Sequence, residues 1–117
     1  MFDFEKLEVY HKAKAFNREV LVLMKNTKTL DTVTKNQLRR ASLSVVLNIA
    51  EGTSRFSKAD KRNFYVISRG SAFECVAIFD VLKDQTLLSN TEFENLYAKA
   101  EVLSRILFKM ISNLSSN

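Results

Sequence analysis

Residues 91–114 read Thr-Glu-Phe-Glu-Asn-Leu-Tyr-Ala-Lys-Ala-Glu-Val-Leu-Ser-Arg-Ile-Leu-Phe-Lys-Met-Ile-Ser-Asn-Leu. Their apolar positions Phe93, Leu96, Ala100, Leu103, Leu107, Met110 and Leu114 are spaced 3, 4, 3, 4, 3 and 4. That alternation is a heptad seam, the pattern of a helix packed against partners along its whole length. Thr91, with Glu94 three residues on, predicts the capping box that starts it. Upstream, Tyr65, Ser68, Ala72, Cys75, Phe79 and Leu82 repeat the spacing 3, 4, 3, 4, 3. They predict a helix from a Ser57–Asp60 capping box to about Asp84, with Ile67, Gly70, Glu74, Ile78 and Val81 as a neighbouring stripe.

Two more helices precede these. One begins between Asp31 and Thr34, with Thr34 and Gln37 as a capping box. Leu38, Ala41, Val45 and Ile49 form its first apolar row. Leu43, Leu47 and Ala50 form a second, which predicts packing on more than one partner. Gly52 fits the left-handed position that closes a helix. The first helix runs from about Glu5 to Lys25, with Val9, Ala13, Phe16, Val20 and Leu23 on one face. Phe2 and Phe4 are placed to pack under the bundle or against a neighbour, and Ser115-Ser116-Asn117 to fray.

The chain has 117 residues, no proline and two glycines. So few breakers favour long helices and short turns, here of five to eight residues. The predicted fold is all-α: a single domain over 1–117, an antiparallel up-down-up-down four-helix bundle. Cys75 is the only cysteine, which excludes a disulfide within the chain and a cysteine metal cluster. No apolar run reaches the roughly 20 residues of a membrane span. The first residues, Met-Phe-Asp-Phe-Glu-Lys, lack the basic-then-apolar order of a signal peptide. These readings predict a cytoplasmic protein with no membrane association.

Charge is uneven. The net value is +5, and residues 31–62 carry seven Lys/Arg against three acids. A basic centre of this kind suits a polyanion, RNA or DNA. Arg39, Arg55, Lys58, Lys61 and Arg62 are the candidate nucleic-acid-binding residues, alongside Arg40. Phe56 lies among them; it either stacks on a base or, as the favoured role, staples the helix that Ser57 starts.

A polar row interrupts the apolar helices. Arg40, Ser44, Asn48 and Glu51 share one helix face, and Arg69, Gly70, Ser71 and Glu74 break the next helix. A buried or half-buried carboxylate needs a partner, so Arg40 and Arg69 are the expected partners of Glu51 and Glu74. The row is read as a structural network at a helix or subunit junction. Gly70, costly inside a helix, predicts a close approach by a backbone or large side chain. His11 reads as a surface or interface histidine, and Cys75 as a packing residue. No phosphate loop, metal spacing, cofactor motif or hydrolase carboxylate pair is present; Glu51 and Glu74 near Arg40 are the one place catalysis would be sought. The expectation is no enzyme, no metal and no cofactor.

Leu7-Glu8-Val9-Tyr10-His11-Lys12-Ala13, Gln37-Leu38-Arg39-Arg40-Ala41-Ser42-Leu43-Ser44-Val45, Asn48-Ile49-Ala50-Glu51-Gly52, Arg55 with Ser57, Phe64, and Arg69-Gly70-Ser71 with Glu74 resemble the 23S ribosomal RNA intervening-sequence protein family. The resemblance runs the length of the chain in order and departs mildly at Ser68, where the family usually has Ala. It implies a small bacterial four-helix bundle, encoded within large-subunit ribosomal RNA genes or as a free-standing gene. A related branch, the accessory proteins of diversity-generating retroelements, forms basic ring-like pentamers that work with a reverse transcriptase and nucleic acid. The resemblance therefore implies a homopentamer. The predicted function is non-catalytic nucleic-acid binding, RNA first. The alternative is a scaffold that docks a protein partner such as a reverse transcriptase.

Overall fold

The computed structural model describes residues 1–115. Four helices follow a short 3-10 turn at Asp3–Lys6: α1 Glu8–Asn26, α2 Thr32–Thr53, α3 Lys58–Asp84 and α4 Asn90–Ser115. They alternate in direction and build a bundle 47 × 26 × 22 Å. Each helix packs on its two chain-order or closing neighbours, and the α2–α3 and α3–α4 seams are the most extensive. The all-α antiparallel bundle is as the periodicity predicts.

The core is the set of predicted seams. Val9, Ala13, Phe16 and Val20 of α1 and Leu38, Val45 and Ile49 of α2 are buried. So are Tyr65, Ser68, Ala72, Cys75, Phe79 and Leu82 of α3 and Phe93, Leu96, Ala100, Leu103 and Leu107 of α4. Phe16 and Phe79 meet edge-on across the bundle axis, ring centroids 6.1 Å apart. Near the end of α4, Ile111 is buried and Met110 only half-buried. A straight helix has about 3.6 residues per turn and drifts off a strict heptad, so the predicted seam slides by one residue. Burial pushes the Cys75 thiol up to about 12, with the Glu74 charge adding to it.

The helix ends depart from the sequence reading. Asp31, not Thr34, caps α2: its Oδ1 accepts the Thr34 N–H at 2.8 Å and its Oδ2 the Thr34 hydroxyl at 2.9 Å. Ser89, not Thr91, caps α4, accepting the Glu92 N–H at 3.1 Å and donating its own N–H to Glu92 at 3.0 Å. Ser57 caps α3 as predicted, accepting the Asp60 N–H at 3.1 Å. The connections, residues 27–31, 54–57 and 85–89, lie at the short end of the expected range, and only 54–57, of four residues, falls below it.

α1 starts later than predicted. Leu7 is extended, at φ −89° and ψ 123°, and separates it from the 3-10 turn. His11 explains the break, since its Nε2 donates to the Glu5 carbonyl at 2.7 Å and takes that oxygen out of the helix. Phe4 packs on Tyr10, while Phe2 stays exposed.

Neither glycine has its predicted role. Gly52 lies inside α2 with right-handed backbone. It is there for space: a Cβ would sit 2.5 Å from Cε1 of Tyr65. Gly70, predicted to allow a close approach, is exposed and a Cβ there would meet nothing within 4 Å. The left-handed residue among the described residues is Thr86, at φ 59°. It ends α3 in a Schellman motif, with Thr86 N–H on the Lys83 carbonyl at 3.0 Å and Leu87 N–H on the Leu82 carbonyl at 3.0 Å. Leu43 and Leu47, the expected second row of α2, remain substantially exposed on this chain. Beyond Ser115, which is helical, the predicted frayed tail lies outside the described residues.

Candidate nucleic-acid interface

The α2–α3 turn, residues 54–57, forms one tip of the bundle, with Arg55 on the turn and Lys58, Lys61 and Arg62 on the first turns of α3 that follow it. Arg55 sits just past α2, where its Nη2 lies 2.9 Å from Glu51 and its guanidinium lies 4.6 Å from the Phe64 ring centroid. Lys61, one turn into α3, donates to the Thr53 carbonyl at 3.2 Å. A cation there satisfies the free carbonyl end of α2 and its negative dipole. Arg62 Nε reaches the Ser115 hydroxyl at 2.6 Å and ties α3 to the end of α4. Lys58 is exposed at the first position of α3. These anchors were not legible in the sequence, which shows charge but not what each cation reaches.

Arg39 does not join the group. It is exposed on α2, roughly 24 Å along the helix from Arg55 at about 1.5 Å per residue. The basic character of the tip nonetheless extends beyond the turn. Residues 1–14, 48–66 and 104–115, which share this half of the bundle, carry nine Lys/Arg against five carboxylates. The other half, residues 18–40 and 74–101, carries eight against eight.

Phe56 stands at the apex of the tip, 102% exposed. A ring with that exposure packs against nothing, so the predicted hydrophobic staple is absent. The reason is geometric: the backbone turns into α3 with Phe56 pointing outward, away from the first turns of the helix.

The polar row resolves into small-residue contacts rather than Arg–Glu pairs. Ser44 and Ser71 hydroxyls meet at 2.8 Å, Asn48 donates to the Ser44 carbonyl at 2.9 Å, and Ser71 donates to the Ile67 carbonyl at 2.9 Å. Gln37 donates to Glu74 at 2.6 Å. Arg69 donates to the Ser104 carbonyl at 3.2 Å and lies against the rings of Phe73 and Phe108. Arg40 is exposed. The expected partners are therefore replaced: Glu51 holds Arg55, and Glu74 holds Gln37. Gly70 stands beside this ladder without taking part.

The antiparallel α2–α3 register is the cause. It sets Gln37 against Glu74, and Glu51 lies about four turns, roughly 20 Å, farther along α2. Glu51 and Glu74 thus form no carboxylate pair. Among the described residues no cluster of three His, Cys, Asp or Glu side chains could hold a metal. No buried side-chain polar atom there lacks a hydrogen-bond partner. No described helix is long and apolar enough to cross a membrane.

Among solved structures, the chain is similar to a protein of unknown function from the S23 ribosomal protein family of Bacteroides thetaiotaomicron, solved as a crystal structure. The TM-score is 0.83 at 22% identity, over 88% of this chain and 97% of that one. No curated protein matches the chain. Residues 5–109, which include all the motif residues and the basic tip, match the family described as 23S rRNA-intervening sequence protein. With all but the two ends of the bundle inside that match, the chain belongs to the 23S rRNA-intervening sequence protein family.

Proposed function

We propose that this bundle is a non-catalytic nucleic-acid-binding protein of the cytoplasm, with RNA as its first ligand, that works as a homo-oligomer. The observation that carries the reading is Phe56, wholly exposed between Arg55 and Lys58, with Lys61 and Arg62 on the adjoining turn of α3. Leaving a phenylalanine in water forgoes about 1.5–3 kcal/mol of burial, so a partner for the ring is worth having. An aromatic face among cations suits a single strand: a base stacks on the ring while the cations neutralise phosphates. Contacts of this kind position a strand without reading its sequence. Pentameric assembly is carried by the resemblance to the retroelement accessory proteins.

Binding of single-stranded RNA and DNA across a salt series tests the proposal. Affinity should fall steeply with salt. Phe56→Ala should cost about 1–3 kcal/mol for one lost stack. Lys58→Glu should reduce the salt slope by about one phosphate contact. Arg55 and Arg62 also hold the fold locally, so Lys58 and Phe56 are the cleaner positions. No binding at low salt, or binding unchanged in both variants, refutes the reading. Light scattering that returns the 13.4 kDa of one chain refutes the oligomer.

A further inference from the structure

Opposite flanks of the bundle carry opposite charge at the same level. Residues 18–40, the end of α1 and the start of α2, hold six Lys/Arg against two carboxylates. Residues 74–101, the end of α3 and the start of α4, hold two Lys/Arg against six carboxylates. Neither carboxylate of the first set faces outward on the α1–α2 flank. Glu19 is turned to α4, where it meets Lys99 and Asn95. Asp31 is used up as the α2 cap. Farther along, Glu51, the one carboxylate within α2, holds Arg55.

The acidic flank is also grooved. Between α3 and α4 lies an open apolar groove of about 500 Å³, floored by Ala72, Val76 and Ala100 and walled by Phe73 and Tyr97; Asp80 and Glu101 lie on its margins, Glu101 sharing its exposed carboxylate with Arg105 one turn on, at 3.1 Å. Phe73 is 55% exposed at this wall. The cationic flank presents Leu43, 43% exposed, with Arg39 one turn away and Leu21 exposed on α1.

The levels agree. The Ser42–Asn17, Ser44–Ser71 and Arg69–Ser104 contacts tie all four helices at one height. Arg39 lies three residues before Ser42, and Glu101 lies three residues before Ser104, on helices that run in the same direction. Two copies placed side by side and parallel therefore bring Arg39 of one to the height of Glu101 of the other.

We propose that the α3–α4 groove seats the α1–α2 flank of a second copy of this chain, with Leu43 in the groove and Arg39 on Glu101. The inference rests on the homo-oligomer reading and supplies its interface. Because the two surfaces are different and lie on opposite flanks, every copy offers one of each. Association is then head-to-tail, and it ends only when the rotation between copies closes a ring. Charge complementarity fixes which flank meets which, and the apolar groove supplies the buried contact.

Arg39→Glu spoils the flank and leaves the groove; Glu101→Arg spoils the groove and leaves the flank. Both positions are exposed, so each variant should fold, with circular dichroism as the control. In sedimentation velocity at low salt, the wild type should assemble and each variant alone should associate at least tenfold more weakly. Mixed in equal amounts, the variants should assemble again with the two kinds of copy alternating, since each flank then meets a groove of opposite charge while like copies repel. The Arg39→Glu/Glu101→Arg double variant should recover assembly. Variants that assemble like the wild type, or a mixture that stays as dissociated as either variant alone, overturn this interface while leaving the oligomer standing. A wild type that stays monomeric overturns the oligomer reading and the interface with it.

Discussion

Gly52 offers the sharpest test of the packing. A Cβ at this position would lie 2.5, 2.9 and 3.0 Å from Cε1, Cδ1 and Cζ of Tyr65. Ordinary carbon contacts are about 3.5–4.0 Å, so Gly52→Ala forces the ring to move by about 1 Å. Tyr65 is only 5% exposed and belongs to the packed core, so its ring must move against buried neighbours. Overpacking of this kind costs about 1–3 kcal/mol. Against it stands the gain of alanine over glycine inside a helix, about 1 kcal/mol. The net expectation is a loss of up to about 2 kcal/mol, the overpacking cost less the helix gain. The control is the same substitution in a Tyr65→Ala background. That background alone is destabilised by about 3–5 kcal/mol, but with the ring gone Gly52→Ala should stabilise by about 1 kcal/mol. The effect changes sign because the two residues share one space, a coupling of about 1–3 kcal/mol for residues in contact. Urea denaturation at one fixed protein concentration measures all four proteins, read as midpoint shifts at constant slope. If Gly52→Ala stabilises the wild type, or costs the same in both backgrounds, steric exclusion by Tyr65 is not why glycine is there.

Three further outcomes follow from the geometry. Gly70→Ala, with nothing within 4 Å of the new Cβ, should stabilise by about 1 kcal/mol and raise the thermal midpoint. Thr86→Gly relieves a β-branched residue held at φ 59° and should gain about 0.5–1 kcal/mol in the same denaturation assay, the left-handed penalty less the entropy of glycine. Glu19 gives a pH dependence: burial raises its carboxyl, but hydrogen bonds from Lys99 and Asn95 and the Lys99 charge outweigh that and hold it below the ordinary 4.5. A lowered folded value means its contribution is present above pH 4.5 and is lost as pH falls through that lowered value, so Glu19→Gln should lower stability at pH 7 and flatten the acid limb.

Much of the fold was legible because burial follows period. The seam of α3 could be read residue by residue, and that of α4 as far as Leu107, since a 3, 4 spacing has one physical meaning in a long helix. The caps were less legible. Asp31 and Thr34, or Ser89 and Thr91, stand within one turn of each other, and either chemistry can cap; only the local backbone decides. The Arg–Glu pairs failed for a different reason. Spacing along one helix tells which residues share a face, but not the register against the next helix, and that register set Gln37 on Glu74. Phe56 before a Ser57 cap looks the same in sequence whether the ring folds back as a staple or points away. Its exposure is a property of the turn, and it carries the functional reading.

The string from Gln37 to Gly52 raises the question of what its polar residues do if they form no site. Each of the small ones sets the distance from α2 to a neighbour. Ser42 bonds Asn17 of α1, and Ser44 bonds Ser71 of α3. Ser68, buried in α3, donates to the Val45 carbonyl at 2.7 Å. Gly52 admits the Tyr65 ring. A larger side chain at any of these four would push the helices apart or strand a buried polar atom, at about 1–3 kcal/mol each. The pattern that looks most like an active site therefore has a sufficient explanation in close helix packing, with every buried polar atom among the described residues satisfied. Function is then to be sought on exposed surface outside this packing: at the tip around Phe56 and Lys58, and on the two oppositely charged flanks.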